Sequence, residues 1–412
     1  MKNLFGIVFI TLFFSTSSCR RDDDNTPLPQ VTLSCTNITT NTTLDVANYL
    51  VDCVVDVRNN AVLTIQPGTK FTFTANGGFS TSAGGAIKAS GTADKKIAFT
   101  GKEAIKGFWK GININTNSLN NQFNHCMFEY GGKGQTMVRL GGDNSLTSKA
   151  VFTNCKFINS GTNGLFVNEQ STIAGSGLNE FNGNVEYPIW FAYENVSDLD
   201  NTNTFTGNGK NKIYIESDDY NINKVVVFNK VSVPYLLAHT SGSPLKRIYK
   251  GFTISAGTVI EISPNLLFEI QPAGYFKAQG TASENIIIRG QEATKGYWDK
   301  IRFAGSPSSE NIFEHCQISD GGNFYDSNWN DKGMITIKDI YDATSRISIN
   351  NCRFSNSLNY GIDLWRCAAS GATVVNGAKG ASAIKSALET ANEFPASTAS
   401  DKNDAGNVRT TN

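Results

Sequence analysis

One segment of this 412-residue chain occurs twice, and that repetition limits the fold more than any other feature. Gly101-Lys-Glu-Ala-Ile-Lys-Gly107-Phe108-Trp109-Lys-Gly-Ile112 returns as Gly290-Gln-Glu-Ala-Thr-Lys-Gly296-Tyr297-Trp298-Asp-Lys-Ile301, at an offset of 189. Gly68-Thr69 and Gly257-Thr258, and Gly91-Thr92-Ala93 and Gly280-Thr281-Ala282, keep the same offset. Phe123-Asn-His125-Cys126 matches Phe313-Glu-His315-Cys316 at 190, and Asn154-Cys155 with Gly164 matches Asn351-Cys352 with Gly361 at 197. A register this long reads as two homologous halves.

Each half carries a finer period. Cys126-Met-Phe128, Cys155-Lys-Phe157, Asn179-Glu-Phe181 and Asn203-Thr-Phe205 are spaced by 29, 24 and 24 residues. Around them lie short runs such as Val62-Leu-Thr-Ile65, Lys70-Phe-Thr-Phe-Thr74, Lys96-Ile-Ala-Phe-Thr100 and Asn285-Ile-Ile-Ile-Arg289, bounded by turn residues. Alternation over four to six residues between turns reads as strand. No segment from 33 to 365 holds a helical period. Short units that cannot bury their own apolar face must stack on their neighbours. The expectation is an all-β parallel β-helix, a solenoid built from two homologous halves, with Cys, Asn and Phe recurring as ladders.

The runs "LTIQPGTKFTF", "GAIKASGTADKKIAFTG", "GFWKGI" and "FNHCMFEYGG", repeated as "FTISAGTVIEI", "GYFKAQGTASENIIIRG", "GYWDKI" and "FEHCQISDGG", resemble the right-handed parallel β-helix repeat proteins among bacterial surface lipoproteins. The resemblance spans about residues 45 to 365. It implies the fold and leaves function open, because such proteins include lyases, hydrolases and adhesins.

The N-terminus reads as an address. Met1-Lys2-Asn3 precedes an apolar run, Leu4 to Phe14, too short for the roughly 20 residues of a membrane span. Ser15-Thr16-Ser17-Ser18-Cys19 follows and resembles a bacterial lipoprotein signal, with Thr16 where that signal carries Leu. The resemblance implies lipidation at Cys19. Arg20-Arg21-Asp22-Asp23-Asp24 beyond it resembles the surface-export signal of Bacteroidota lipoproteins. The expected layout is a signal peptide at 1–18, a lipidated tether at 19–32, an N-terminal cap at 33–54, half one at 55–235, half two at 236–365, and a C-terminal cap and tail at 366–412. The expected location is the bacterial outer membrane, cell-surface exposed, with the lipid as the only membrane attachment and a monomeric chain.

Charge excludes other partners. Lys+Arg and Asp+Glu both number 36, so the net charge is zero and nothing marks a nucleic-acid interface. Three His and no Cys-x-x-Cys leave no cofactor or metal motif. Cys35 and Cys53 flank the cap and are expected to form a disulfide, which an exported chain permits. Cys126, Cys155, Cys316 and Cys352 are stacked core thiols or, adjacent rungs being about 4.8 Å apart, the disulfides 126–155 and 316–352. Cys367 stays unpaired.

Chemistry is less legible. His125 and His315 share one strand context, which favours a turn role over acid/base work, and His239 is no better placed. Asp198/Asp200 and Asp218-Asp219 lack a basic partner, and no catalytic residue is assigned. The 190-to-197 change in offset means that half two carries an insertion. Asn323-Phe324-Tyr325-Asp-Ser-Asn-Trp329 falls there, so Phe324, Tyr325 and Trp329 are the candidate glycan contacts. The expected function is binding of an extracellular polysaccharide or other surface ligand without catalysis. The alternatives are a polysaccharide lyase or glycoside hydrolase on the solenoid face, and a structural or adhesive stalk. Carboxylates clustered with Arg or Lys across rungs would favour the enzyme.

Overall fold

The structure is a computed structural model that describes residues 27–142, 147–216, 221–240, 243–323, 331–338, 344–365, 373–395 and 408–411. The candidates Cys19, Phe324, Tyr325 and Trp329, with Asp218, Asp219 and Cys367, lie outside those residues.

The short alternating runs are strands, and successive strands step round a three-sided solenoid. Among the described residues they form sheets of eight, twelve, five, seven and seven strands. All pairings are parallel except Val374–Val375 with Ala378–Lys379. Val62–Ile65, Lys70–Phe73 and Gly78–Thr81 belong to the five-, eight- and twelve-stranded sheets, and Ala86–Ser90 returns to the first.

Parallel register puts like positions on top of each other, so the sequence period becomes ladders. Tyr49, Phe71, Phe99, Phe128, Phe157 and Phe181 stack with centroids 4.7–5.5 Å apart, and Phe205 continues the line. Asn179 Oδ1 accepts from Cys155 N at 2.9 Å, its Nδ2 donates to Phe152 O at 2.9 Å, and its own N–H donates to Asn203 Oδ1 at 3.0 Å. These amides satisfy backbone groups in the turns, where an unpaired buried group costs about 1–3 kcal/mol.

Asn121 and Asn311 form a second amide device that spans neighbouring coils. Asn121 Oδ1 accepts from Ile87 N, and its Nδ2 donates to Thr116 O and Lys149 O. Asn311 repeats this with Phe276 N, Ser306 O and Arg346 O.

The two halves do not enter the solenoid in phase. Lys70–Phe73, Ile97–Gly101 and Cys126–Glu129 lie in the eight-stranded sheet. Their equivalents Val259–Ile262, Ile286–Gly290 and Cys316–Ser319 lie in the twelve-stranded sheet. The twelve-stranded sheet in half one is instead made of third strands, such as Gly78–Thr81 and Gly111–Ile114. The repeat is not a whole number of turns, so the second copy is turned by one face.

The ends are covered. Cys35 and Cys53 are bonded, with Cα atoms 5.9 Å apart, beside the first strands. At the other end helix Ala381–Ala391 buries Ile384 and Leu388. Asn392-Glu-Phe394 then adds a last partial rung: Asn392 Oδ1 accepts from Cys352 N, and Phe394 stacks on Phe354 at 5.2 Å.

Candidate functional site

In the mid-solenoid strands of the twelve-stranded sheet, the middle residue points away from the core. Leu165 and Val167, Ile189 and Phe191, and Ile213 and Ile215 are buried, and side chains alternate along a strand. The register therefore lines up Arg139, Phe166, Trp190, Tyr214, Leu236 and Glu261 along the outside. The Arg139 guanidinium lies 4.8 Å over the Phe166 ring. Phe166 meets Trp190 edge to face at 5.4 Å, and Trp190 meets Tyr214 in the same way at 5.0 Å. Tyr187 leans on Tyr214 at 4.6 Å and carries Lys210 at 5.0 Å. Tyr214, Leu236 and Ala238 form an apolar cluster separate from the core.

Two open cavities of about 540 and 550 Å³ flank this stripe. Trp190, Thr162, Asn163 and Thr240 border both. The first adds Arg139, Phe166 and Glu216, and the second adds Tyr187, Tyr214 and His239. Polar groups are held in place around the rings. Arg139 Nη2 donates to Gly142 O at 2.8 Å, while Arg139 Nε is buried with no hydrogen-bond partner. Glu216 accepts from Tyr214 Oη at 2.8 Å and from Thr240 N at 2.9 Å. Burial, then the bond to Glu216, raises the Tyr214 hydroxyl pKa, and burial raises that of Tyr187, so both remain donors at neutral pH. Flat apolar rings with oriented polar groups at their edges are the chemistry of a concave site for a ring-shaped, hydroxyl-rich ligand.

Half two uses the equivalent outward positions differently. Glu269 stands where half one has Ser80, and Arg302 where it has Asn113. The register stacks Arg247, Glu269, Arg302, Thr336, Asp363 and Arg409. Arg302 bonds Asp331 at 2.7 Å and Glu269 at 3.1 Å, and Lys300 bonds Asp331 at 2.8 Å. Asp299, Lys300 and Asp331 are all 0% exposed. Burial pushes the Asp299 carboxyl up to about 6, against the pull of Lys300 at 3.2 Å and of Arg302. Burial also opposes ionisation of Asp331, but Lys300 and Arg302 outweigh it and hold that carboxyl below its usual range.

The residues singled out by sequence separate into several places. His125 and His315 both sit at φ 48°, in the left-handed region, and Asn154 and Asn351 follow at the same turn with φ 54°. Asp198 Oδ2 accepts from Thr172 Oγ1 and Ile173 N, and Asp200 Oδ1 accepts from Thr202 N, so both hold turns. Trp109 and Trp298 are fully buried, and each Nε1 donates to a strand carbonyl at 2.7 Å. Cys126, Cys155, Cys316 and Cys352 are buried free thiols. His239 lines the second cavity. Among the described residues, no three His, Cys, Asp or Glu side chains come together as a metal site.

Sequence reasoning missed the stripe, although its signal was present. Phe166, Trp190 and Tyr214 are spaced by 24 and 24, in step with Phe157, Phe181 and Phe205, and each lies between two apolar residues.

Residues 36–145 match the family model for a pectate-lyase-like beta helix domain. The chain is a parallel β-helix protein. The matched part of the β-helix runs from the cap through Arg139 and ends before Phe166, Trp190 and Tyr214. No curated protein and no solved structure matches the chain.

Proposed function

We propose that this β-helix is a lipid-anchored protein of the bacterial cell surface that binds extracellular glycan along the stripe from Arg139 to Tyr214 without cleaving it. The observation that carries the reading is the outward aromatic ladder, because the core does not require Phe166, Trp190 or Tyr214 to be aromatic. Their strands are already anchored by the buried neighbours on either side. Sugar rings stack on such faces, and the Arg139, Asn163 and Glu216 side chains at the cavity walls offer donors and acceptors to hydroxyls.

The test uses protein made with Cys19→Ala and a panel of polysaccharides. Retention of at least one polysaccharide, with no unsaturated or reducing ends released, is the expected result. Cleavage of any of them overturns the binding-only reading. The same substitution is expected to release the protein from the membrane, and continued membrane association would overturn the anchor.

The buried ionic stripe favours a second reading, a lyase or hydrolase. It brings Glu269, Asp299 and Asp331 together with Lys300 and Arg302 on one face. Against it, Asp331 is already bonded to both cations, and Asp299, Lys300 and Asp331 are closed to solvent. Loss of a cleavage activity in Lys300→Met would establish that reading.

A further inference from the structure

The duplication preserved one chemical feature that neither the groove nor the ionic stripe uses. Each half carries two cysteines on consecutive rungs. The pairings Met127 with Lys156 and Gln317 with Arg353 put Cys126 opposite Cys155 and Cys316 opposite Cys352. The rungs on either side carry other residues at this position: Ile97 and Asn179 in half one, Ile286 and Asn392 in half two. The pairs now lie in different sheets, the eight-stranded and the twelve-stranded, yet each keeps the same surroundings. Cys126 Sγ contacts Ala89 O at 3.4 Å, and Cys316 Sγ contacts Ala278 O at 3.3 Å. Each thiol also points at the carbonyl two residues before it: Cys126 at Asn124 O, Cys155 at Thr153 O, Cys316 at Glu314 O and Cys352 at Asn350 O.

We infer that Cys126–Cys155 and Cys316–Cys352 are two cross-rung dithiol sites that close to disulfides by exchange with a small-molecule or protein disulfide. Parallel neighbours lie about 4.8 Å apart with their Cβ atoms pointing the same way, within the roughly 4.4–6.8 Å Cα range of disulfides. In the exchange one thiolate attacks the oxidant disulfide, forming a mixed disulfide and releasing one thiolate. The second cysteine then attacks the protein sulfur and displaces the other half of the oxidant. Two protein S–H bonds become one S–S bond, and the oxidant is reduced to two thiols that take up the two protons. Burial raises the pKa of Cys126 and Cys316, so in the closed fold the thiolate is scarce and exchange requires the rungs to open. Once formed, each bond ties neighbouring coils together.

The test incubates the mature protein with oxidised glutathione in sub-denaturing urea. The urea is then removed, free thiols are alkylated, and non-reduced peptides are analysed by mass spectrometry. The expected result is two linked peptides, 126 with 155 and 316 with 352, each two hydrogens lighter than the sum of its parts. A raised Tm that falls back with reductant is expected alongside. Cys155→Ala should lose the first link and keep the second, which separates pairing from any effect on folding. Full alkylation of all four thiols after oxidation, or links joining the two halves, would overturn the inference.

Discussion

At the scale of single residues, turns decide more than strands. His125, Asn154 and Leu178 take φ between 48° and 57°, as do His315 and Asn351, so the turn role that the shared context of the two His favoured is a repeated left-handed corner. The duplicated His position was legible in the sequence, whereas its left-handed backbone angle was not. Asn121 was silent: an Asn in a polar run carries no sign that its amide reaches neighbouring coils. Replacing it tests that assignment. Asn121→Ala leaves Ile87 N, Thr116 O and Lys149 O without this partner. A loss of about 2–4 kcal/mol in urea unfolding is expected, whereas Asn120→Ala, on the exposed neighbour, should stay within about 0.5 kcal/mol.

At the scale of elements, strand positions were legible and their arrangement round the axis was not. The run Val62-Leu-Thr-Ile65 announces a strand, and Phe157, Phe181 and Phe205 announce a ladder. Nothing linear tells that Val259–Ile262 joins a different sheet from its copy Lys70–Phe73. That shift depends on how many strands the chain lays down between the copies. It also lets equivalent outward positions diverge, with Ser80 and Asn113 in one half and Glu269 and Arg302 in the other: after a turn by one face they no longer stack on each other. The ionic stripe has its own signature. Burial raises the pKa of Asp299 in the fold to about 6, above the 3.8 of an ordinary aspartate. The unfolded chain therefore loses this proton first, and the contribution of Asp299 to stability falls as pH rises from about 4 through 6. Unfolding free energies measured across that window should fall less steeply with rising pH for Asp299→Asn than for the parent. Equal slopes would show that this carboxyl ionises freely in the fold.

At the scale of the whole molecule, the β-helix offers a long, regular surface on which ligand contacts can be laid out without altering the core. Along the stripe from Arg139 to Tyr214 the inward residues are apolar and fixed, while the outward ones form a groove with two cavities that share Trp190. The sequence also pointed to Phe324, Tyr325 and Trp329, which lie outside the described residues, because an insertion breaks a repeat visibly. An outward-facing aromatic keeps the repeat and hides within it. Trp190 lines both cavities and is only partly buried, so it can be changed without opening the core. The most direct measurement is calorimetric titration of the parent and of Trp190→Ala with a polysaccharide that the parent binds. At least a tenfold loss of affinity, about 1.4 kcal/mol, is expected, with the β-sheet circular dichroism of the parent retained. Full affinity in Trp190→Ala would contradict it.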